Sequence, residues 1–152
     1  MTVINLSPEG THQLKQEEAL RLKAYYCSAG KLTIGYGHVL HPGEPRIITK
    51  AQAEELLETD VNAREKALKD LEKLNLKQHE IDALIIFVYN IGIDAWNHST
   101  AKRFLLAGNR KDVPAQMKRW VHDDNGKVIE GLNNRQRRTA DLFAKGVYAW
   151  SV

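Results

Sequence analysis

Polar and apolar positions follow a helical period over most of the chain and a different rhythm in one stretch. Ser7-Pro8-Glu9 offers a hydroxyl cap, a proline for the first turn and an acid facing the positive end of the helix dipole. A helix therefore starts there and runs to about Ala19. From Tyr25 to Leu40 the pattern changes. Gly30, Gly35 and Gly37 punctuate LTIGYGHVL, whose alternation predicts a short antiparallel sheet. His41-Pro42-Gly43-Glu44-Pro45 reads as a loop. Thr49-Lys50-Ala51-Gln52 is a capping box that opens a long amphipathic helix over about 50–72, with Leu57, Val61, Leu68 and Leu71 inward.

Gln78 to Ile91 is apolar nearly all round, which predicts a buried central helix, and Gly92 ends it. Shorter helices are predicted over 99–107, 113–121 and 134–145, with a tight turn at Asp124-Asn125-Gly126-Lys127. The expected fold is α+β and mainly helical. It has a small N-terminal lobe with a short antiparallel sheet (about 12–50), a connecting helix (about 50–72), and a larger all-helical lobe. That lobe covers about 73–152 and takes in the N-terminal helix. No repeat or linker divides the 152 residues, so one domain is expected, with a ligand cleft between its lobes.

Composition narrows the class. With 43% apolar and 27% charged residues the chain is neither disordered nor a coiled coil. Its longest apolar run, Ala83 to Tyr89, falls far short of the ~20 residues that cross a bilayer. MTVINLSPEG lacks a basic region followed by an apolar one, so a soluble protein without signal peptide or stable membrane insertion is expected. The lone cysteine, Cys27, cannot form an internal disulfide and suits a reducing cytoplasm. Charge is uneven: residues 101–152 carry +6 and residues 1–100 carry −3. Such a basic third is either a plain solvated face or one suited to polyanions: nucleic acid, anionic lipid or acidic wall polymers.

The stretch from Glu17 to His38, EEALRLKAYYCSAGKLTIGYGH, carries the chemistry. An acid at a helix end, a polar residue nine positions on and a hydroxyl six further suit glycoside cleavage. One acid protonates the leaving oxygen, and a second group holds water or attacks on the other face of the sugar. Glu17 and Glu18 are both available for the first role, and helical spacing does not choose between them.

This stretch resembles the phage endolysins of glycoside hydrolase family 24, the T-even phage lysozyme type. The family pattern is a Glu, eight residues, an Asp or sometimes Cys, five residues, a Thr and then I-G-x-G-H. Here it reads Glu18, Cys27, Thr33 and Ile34-Gly35-Tyr36-Gly37-His38. FVYNIG (Phe87 to Gly92), the Ser99-Thr100 helix start and GLNNRQRRTADLF (Gly131 to Phe143) resemble further segments of the family, in order, over about 125 residues. The resemblance implies a lysozyme-like fold and a muramidase that cuts the β-1,4 bond between N-acetylmuramic acid and N-acetylglucosamine during host lysis. It implies Glu18 as general acid, Thr33 as a holder of the attacking water, Asn90 as a substrate contact in the cleft wall and Arg135 as the partner of Glu18. It also implies a monomer acting on bacterial peptidoglycan, kept in the host cytoplasm until a holin releases it.

Cys27 departs from the acidic version of the pattern, and no Asp or Glu lies between Ala19 and Gly43 to replace it. Three roles stand open: a weak acceptor positioning water, a thiolate nucleophile, or a bystander. The first implies inversion at the anomeric carbon and the second retention. A lytic transglycosylase, needing one acid, and a wall-binding module without catalysis are the competing functions. Nucleic-acid binding rests only on the basic third and is not expected. Leu32 and the 30–37 hairpin are placed to meet glycan. Trp96, Trp120 and Trp150 read as packing residues, and His38 as a hydrogen-bonded anchor of the sheet. His38 and His41 form the one close histidine pair, straddling a strand end and Pro42. Without a convergent third ligand legible nearby, neither metal nor other cofactor is expected.

Overall fold

Ser7 caps the first helix: its Oγ accepts from Gly10 N at 3.0 Å, and α1 runs Pro8–Glu18. The computed structural model describes residues 2–123 and 125–150. After α1 come β1 (Arg21–Tyr26), β2 (Leu32–Gly35) and β3 (His38–Val39), an antiparallel sheet in the order β1-β2-β3. Its register pairs Tyr25 with Thr33, Tyr26 with Leu32, and Ile34 with His38. The Thr49–Gln52 capping box forms as its residue types require and opens α2 (Lys50–Ala67).

The helical lobe is built on α3 (Gln78–Ile91), every residue of which from Glu80 to Tyr89 is buried. Around it stand α4 (Ile93–Asn97), α5 (Thr100–Leu106), α6 (Val113–Met117) and α7 (Glu130–Lys145). α1, α2 and α7 pack against α3, and α6 packs against α7. No helix among the described residues is long and apolar enough to cross a membrane.

One buried carboxylate stands inside this apolar helix. Asp82 accepts from Ser7 N at 2.9 Å, Gln78 Nε2 at 2.8 Å and Tyr148 Oη at 2.6 Å, and from the Ser7 hydroxyl. Four donors satisfy a charge that would otherwise be costly in an apolar interior. Gly10 makes the approach possible, because a Cβ there would lie 2.6 Å from Asp82 Cγ.

Four boundaries differ from the sequence expectation. The sheet begins at Arg21 rather than near Tyr25, since β1 is an edge strand with mostly exposed side chains and so lacks an alternating apolar face. The connecting helix ends at Ala67 and tightens into a 3-10 turn over Lys69–Leu74, with Leu68 and Leu71 buried three apart. α6 stops at Met117, four residues short of Val121. α7 starts at Glu130, a turn before Asn134, with Asn133 N already donating to Ile129 O at 3.0 Å. In the 124–127 turn Asp124 lies outside the described residues, while Asp123 Oδ1 accepts from Asn125 N and Lys127 N at 2.9 Å each.

Candidate active site

Adjacent residues on a helix point about 100° apart, and that separation divides the work of Glu17 and Glu18. Glu17 turns inward, with its side chain 2% exposed, and takes a two-pronged bond from Arg138: Nε at 3.0 Å and Nη2 at 2.7 Å. The pair ties the end of α1 to α7. Glu18 turns toward the sheet and accepts from Arg135 Nη2 at 2.6 Å, its side chain 14% exposed. Arg135 and Arg138 lie three apart on α7, so one helix face holds both acids.

The sheet closes over Glu18 through a glycine. A Cβ on Gly37 would sit 3.1 Å from Glu18 Cδ and inside contact distance of Oε2, and Gly37 has φ +73°. No other residue type fits both demands without strain. The backbone beyond the acid is unusual as well. Ala19 has φ 47° and ψ 135°, a conformation costly for a residue with a Cβ.

Thr33 and Tyr25 are direct cross-strand partners and so share a sheet face, and Cys27 is two residues beyond Tyr25. Cys27 N donates to Lys31 O at 2.9 Å and Gly30 N to Cys27 O at 2.8 Å, which fixes the hairpin turn. Partial burial pushes the Cys27 thiol up. Hydrogen bonds around the sulfur, from the backbone at Lys31 and Ala29 and from Thr33, outweigh it and hold the thiol below its ordinary value. Burial raises the Tyr25 phenol, the nearby Glu18 carboxylate raises it further, and Arg21 offsets part of that rise. The Tyr25 ring also lies 4.3 Å from the Arg21 guanidinium. Leu32 pairs with Tyr26, so alternation sets it on the face opposite Thr33.

Asn90, half-buried at the end of α3, accepts from Gln136 Nε2 at 2.7 Å. The same Gln136 nitrogen donates to Trp120 O at 3.1 Å. Trp120 opens onto a hollow of about 490 Å³ lined by His98, Ser99, Gln116, Arg119 and His122 among others. Its ring meets Phe87 edge-on at 6.3 Å and stays 37% exposed, whereas Trp96 is fully buried. Trp150 lies 5.1 Å from the Arg138 guanidinium, a packing role as expected.

Sequence reasoning gave no role to Tyr25 or Tyr89 and, from helical spacing alone, did not separate Glu17 from Glu18. Tyr89 donates to Tyr36 O at 2.5 Å, and burial together with the Asp60 and Glu18 carboxylates raises its phenol far above the usual range. Only Tyr25 had a legible signal, its position two before the cysteine of the motif.

A three-stranded sheet set against a helical lobe, with a sheltered acid at their junction, is the architecture of a lysozyme-like protein. Residues 15–140 match the family model described as phage lysozyme, and the chain belongs to that family. It is 36% identical over 146 residues to an endolysin of Bacillus phage PZA, covering 94% of this chain and 56% of that one. The chain thus spans about half the length of that relative. It is 34% identical to the endolysin of Salmonella phage P22, covering 93% of this chain and 99% of that one. Among solved structures, an endolysin from Escherichia coli O157:H7 phage FAHEc1 superposes with a TM-score of 0.83 at 38% identity, covering 96% of this chain and 97% of that one. The muramidase domain of SpmX from Asticaccaulis excentricus superposes at 0.80 with 30% identity, covering 93% and 98%.

Proposed function

We propose that this protein is a peptidoglycan-degrading muramidase of phage lysis, hydrolysing the β-1,4 bond between N-acetylmuramic acid and N-acetylglucosamine. The observation that carries the reading is Glu18: a carboxyl sheltered at the junction of the lobes, aimed by Arg135 at 2.6 Å and lodged against Gly37. A general acid needs its carboxyl held in one orientation beside the substrate, which the Arg135 contact and the Gly37 backbone provide. Family membership and the names of the relatives, endolysin and muramidase, support the substrate class.

In this reading Glu18 gives its proton to the glycosidic oxygen as the bond to the anomeric carbon breaks. Water held by the Thr33 hydroxyl and the Cys27 sulfur adds to that carbon and passes its proton to bulk water, from which Glu18 is reprotonated. Cys27 is assigned to the water because it lies two residues beyond Tyr25, the cross-strand partner of Thr33. Asn90 keeps its amide donors for sugar, since Gln136 occupies its oxygen. Arg135 serves the substrate through Glu18, whose carboxyl it holds. Leu32, on the opposite face of the sheet from Thr33, meets glycan only where the strand passes around the hairpin edge. The protein acts at the cell wall as a monomer once a holin has opened the inner membrane.

Mass spectrometry of muropeptides from purified wall tests this. Wild type should release products carrying one added water, and Glu18→Gln should lose at least ~100-fold of the rate, the scale of a lost general acid. Cys27→Ser should slow the reaction while leaving product mass unchanged. Anhydro products from wild type would replace hydrolysis with transglycosylation, and retention of configuration would make Cys27 a nucleophile. Release of no muropeptide would leave only wall binding.

A further inference from the structure

On the far edge of the sheet His38 occupies β3 and is 6% exposed. Its Nδ1 lies 2.7 Å from Asp60 Oδ2 on α2, and its Nε2 lies 3.1 Å from both oxygens of Glu44. Carboxylates thus face both ring nitrogens, and the Nε2–Glu44 contact needs a positive centre, a proton or a metal ion, between the two groups. The turn after β3 adds a third donor. Glu44 N donates to His41 O at 3.2 Å, and His41 N donates back to Glu44 Oε1 at 2.6 Å, with Gly43 at φ +90° allowing the reversal. Glu44 thereby lies against both histidines, whose rings meet edge-on at 5.7 Å. One ligand atom from each of His38, His41 and Glu44 lies within 4.8 Å of the others.

We propose that His38, His41 and Glu44 form a zinc(II) site, with water as the fourth ligand. Bonds of about 2.1 Å in a tetrahedron set ligand atoms about 3.4 Å apart. The His38–Glu44 edge, at 3.1 Å, lies close to that length. His41 is exposed, so its ring is free to turn inward and complete the set. Two imidazoles and one carboxylate suit zinc, whereas calcium and magnesium favour sites made of oxygen. Asp60 is the outer carboxylate that orients His38 and raises its basicity as a ligand. A bound ion clips the 41–44 turn to β3 and, through Asp60, to α2. The site is separate from Glu18, Cys27 and Thr33, so it does not rest on the muramidase reading.

Calorimetric titration of the chelator-treated full chain with zinc chloride, together with its Tm, tests the site. One zinc should bind per chain and raise the Tm, and magnesium chloride should do neither. His41→Ala and Glu44→Gln should each weaken zinc binding at least ~10-fold, while the metal-free Tm of His41→Ala stays near wild type. Cys27→Ser should bind zinc as wild type does. Zinc binding that survives both loop substitutions, or that disappears with Cys27→Ser, would place the ion elsewhere and overturn the proposal. So would the absence of any heat or Tm shift in excess zinc.

Discussion

The sheet lobe and the helical lobe are ordered by different physics. α3 and its neighbours bury Ile81, Leu84, Ile85, Ile86, Phe87 and Trp96 almost completely, so dispersion and apolar burial hold that lobe. The sheet leaves Leu22, Tyr26, Val39 and nearby Ile47 exposed and is fixed by particular polar ties. Glu54, held below its ordinary value mainly by the Lys15 ammonium, joins α1 to α2 and takes the Tyr36 hydroxyl as well. His38 joins β3 to α2 through Asp60. Residues given a chemical role sit mostly on this thinner lobe, and the helices supply Arg135 and Asn90 from a rigid wall. Position matters more than bulk in the first lobe, and bulk more than position in the second.

That contrast can be broken at its strong end. Phe87→Ala should cost ~3–5 kcal/mol in chemical denaturation, since a fully buried ring leaves a cavity that α3 and α7 cannot close. A cost below ~1 kcal/mol would mean the helical lobe is loosely packed. Gly37→Ala should lower lysis rate more than stability. The new methyl meets the Glu18 carboxylate and a positive φ, with a stability loss of ~1–3 kcal/mol. Turbidity assays beside Tm would separate the two effects.

Ala19→Gly should raise stability by up to ~1 kcal/mol by relieving the strained backbone after Glu18. A drop in stability would mean that the Ala19 methyl contributes packing worth more than the strain. The smallest effect concerns Cys27. Its alkylation by iodoacetamide should reach half-maximal rate at a lower pH than a free cysteine, because the anion is stabilised.

Caps and buried periodicity made most helices legible. Ser7, Thr49 and Ser99 all cap as their residue types imply. What escaped was decided by tertiary contacts. β1 has no apolar face to betray it, and Gly131 and Asn133 are weak helix formers that α7 nonetheless absorbs. The family resemblance pointed to Glu18, Cys27 and Thr33 and to Arg135 as the partner of Glu18, whereas helical spacing alone did not divide Glu17 from Glu18. That division depends on which acid faces Arg138 and which faces Arg135, a matter of helix rotation that spacing does not report. The approach of Glu44 to two histidines was hidden for a related reason, since a turn reverses the chain and linear spacing does not show convergence.

Asp82 has a consequence for how the molecule comes apart. Ser7, Gln78 and Tyr148 come from three distant parts of the chain and end on one carboxylate. The first helix and the tail therefore do not fray on their own: releasing either leaves a buried carboxylate in the second turn of α3 short of donors. In hydrogen exchange, the amides of α1 near Ser7 and those of α3 near Asp82 should open together, as one cooperative unit.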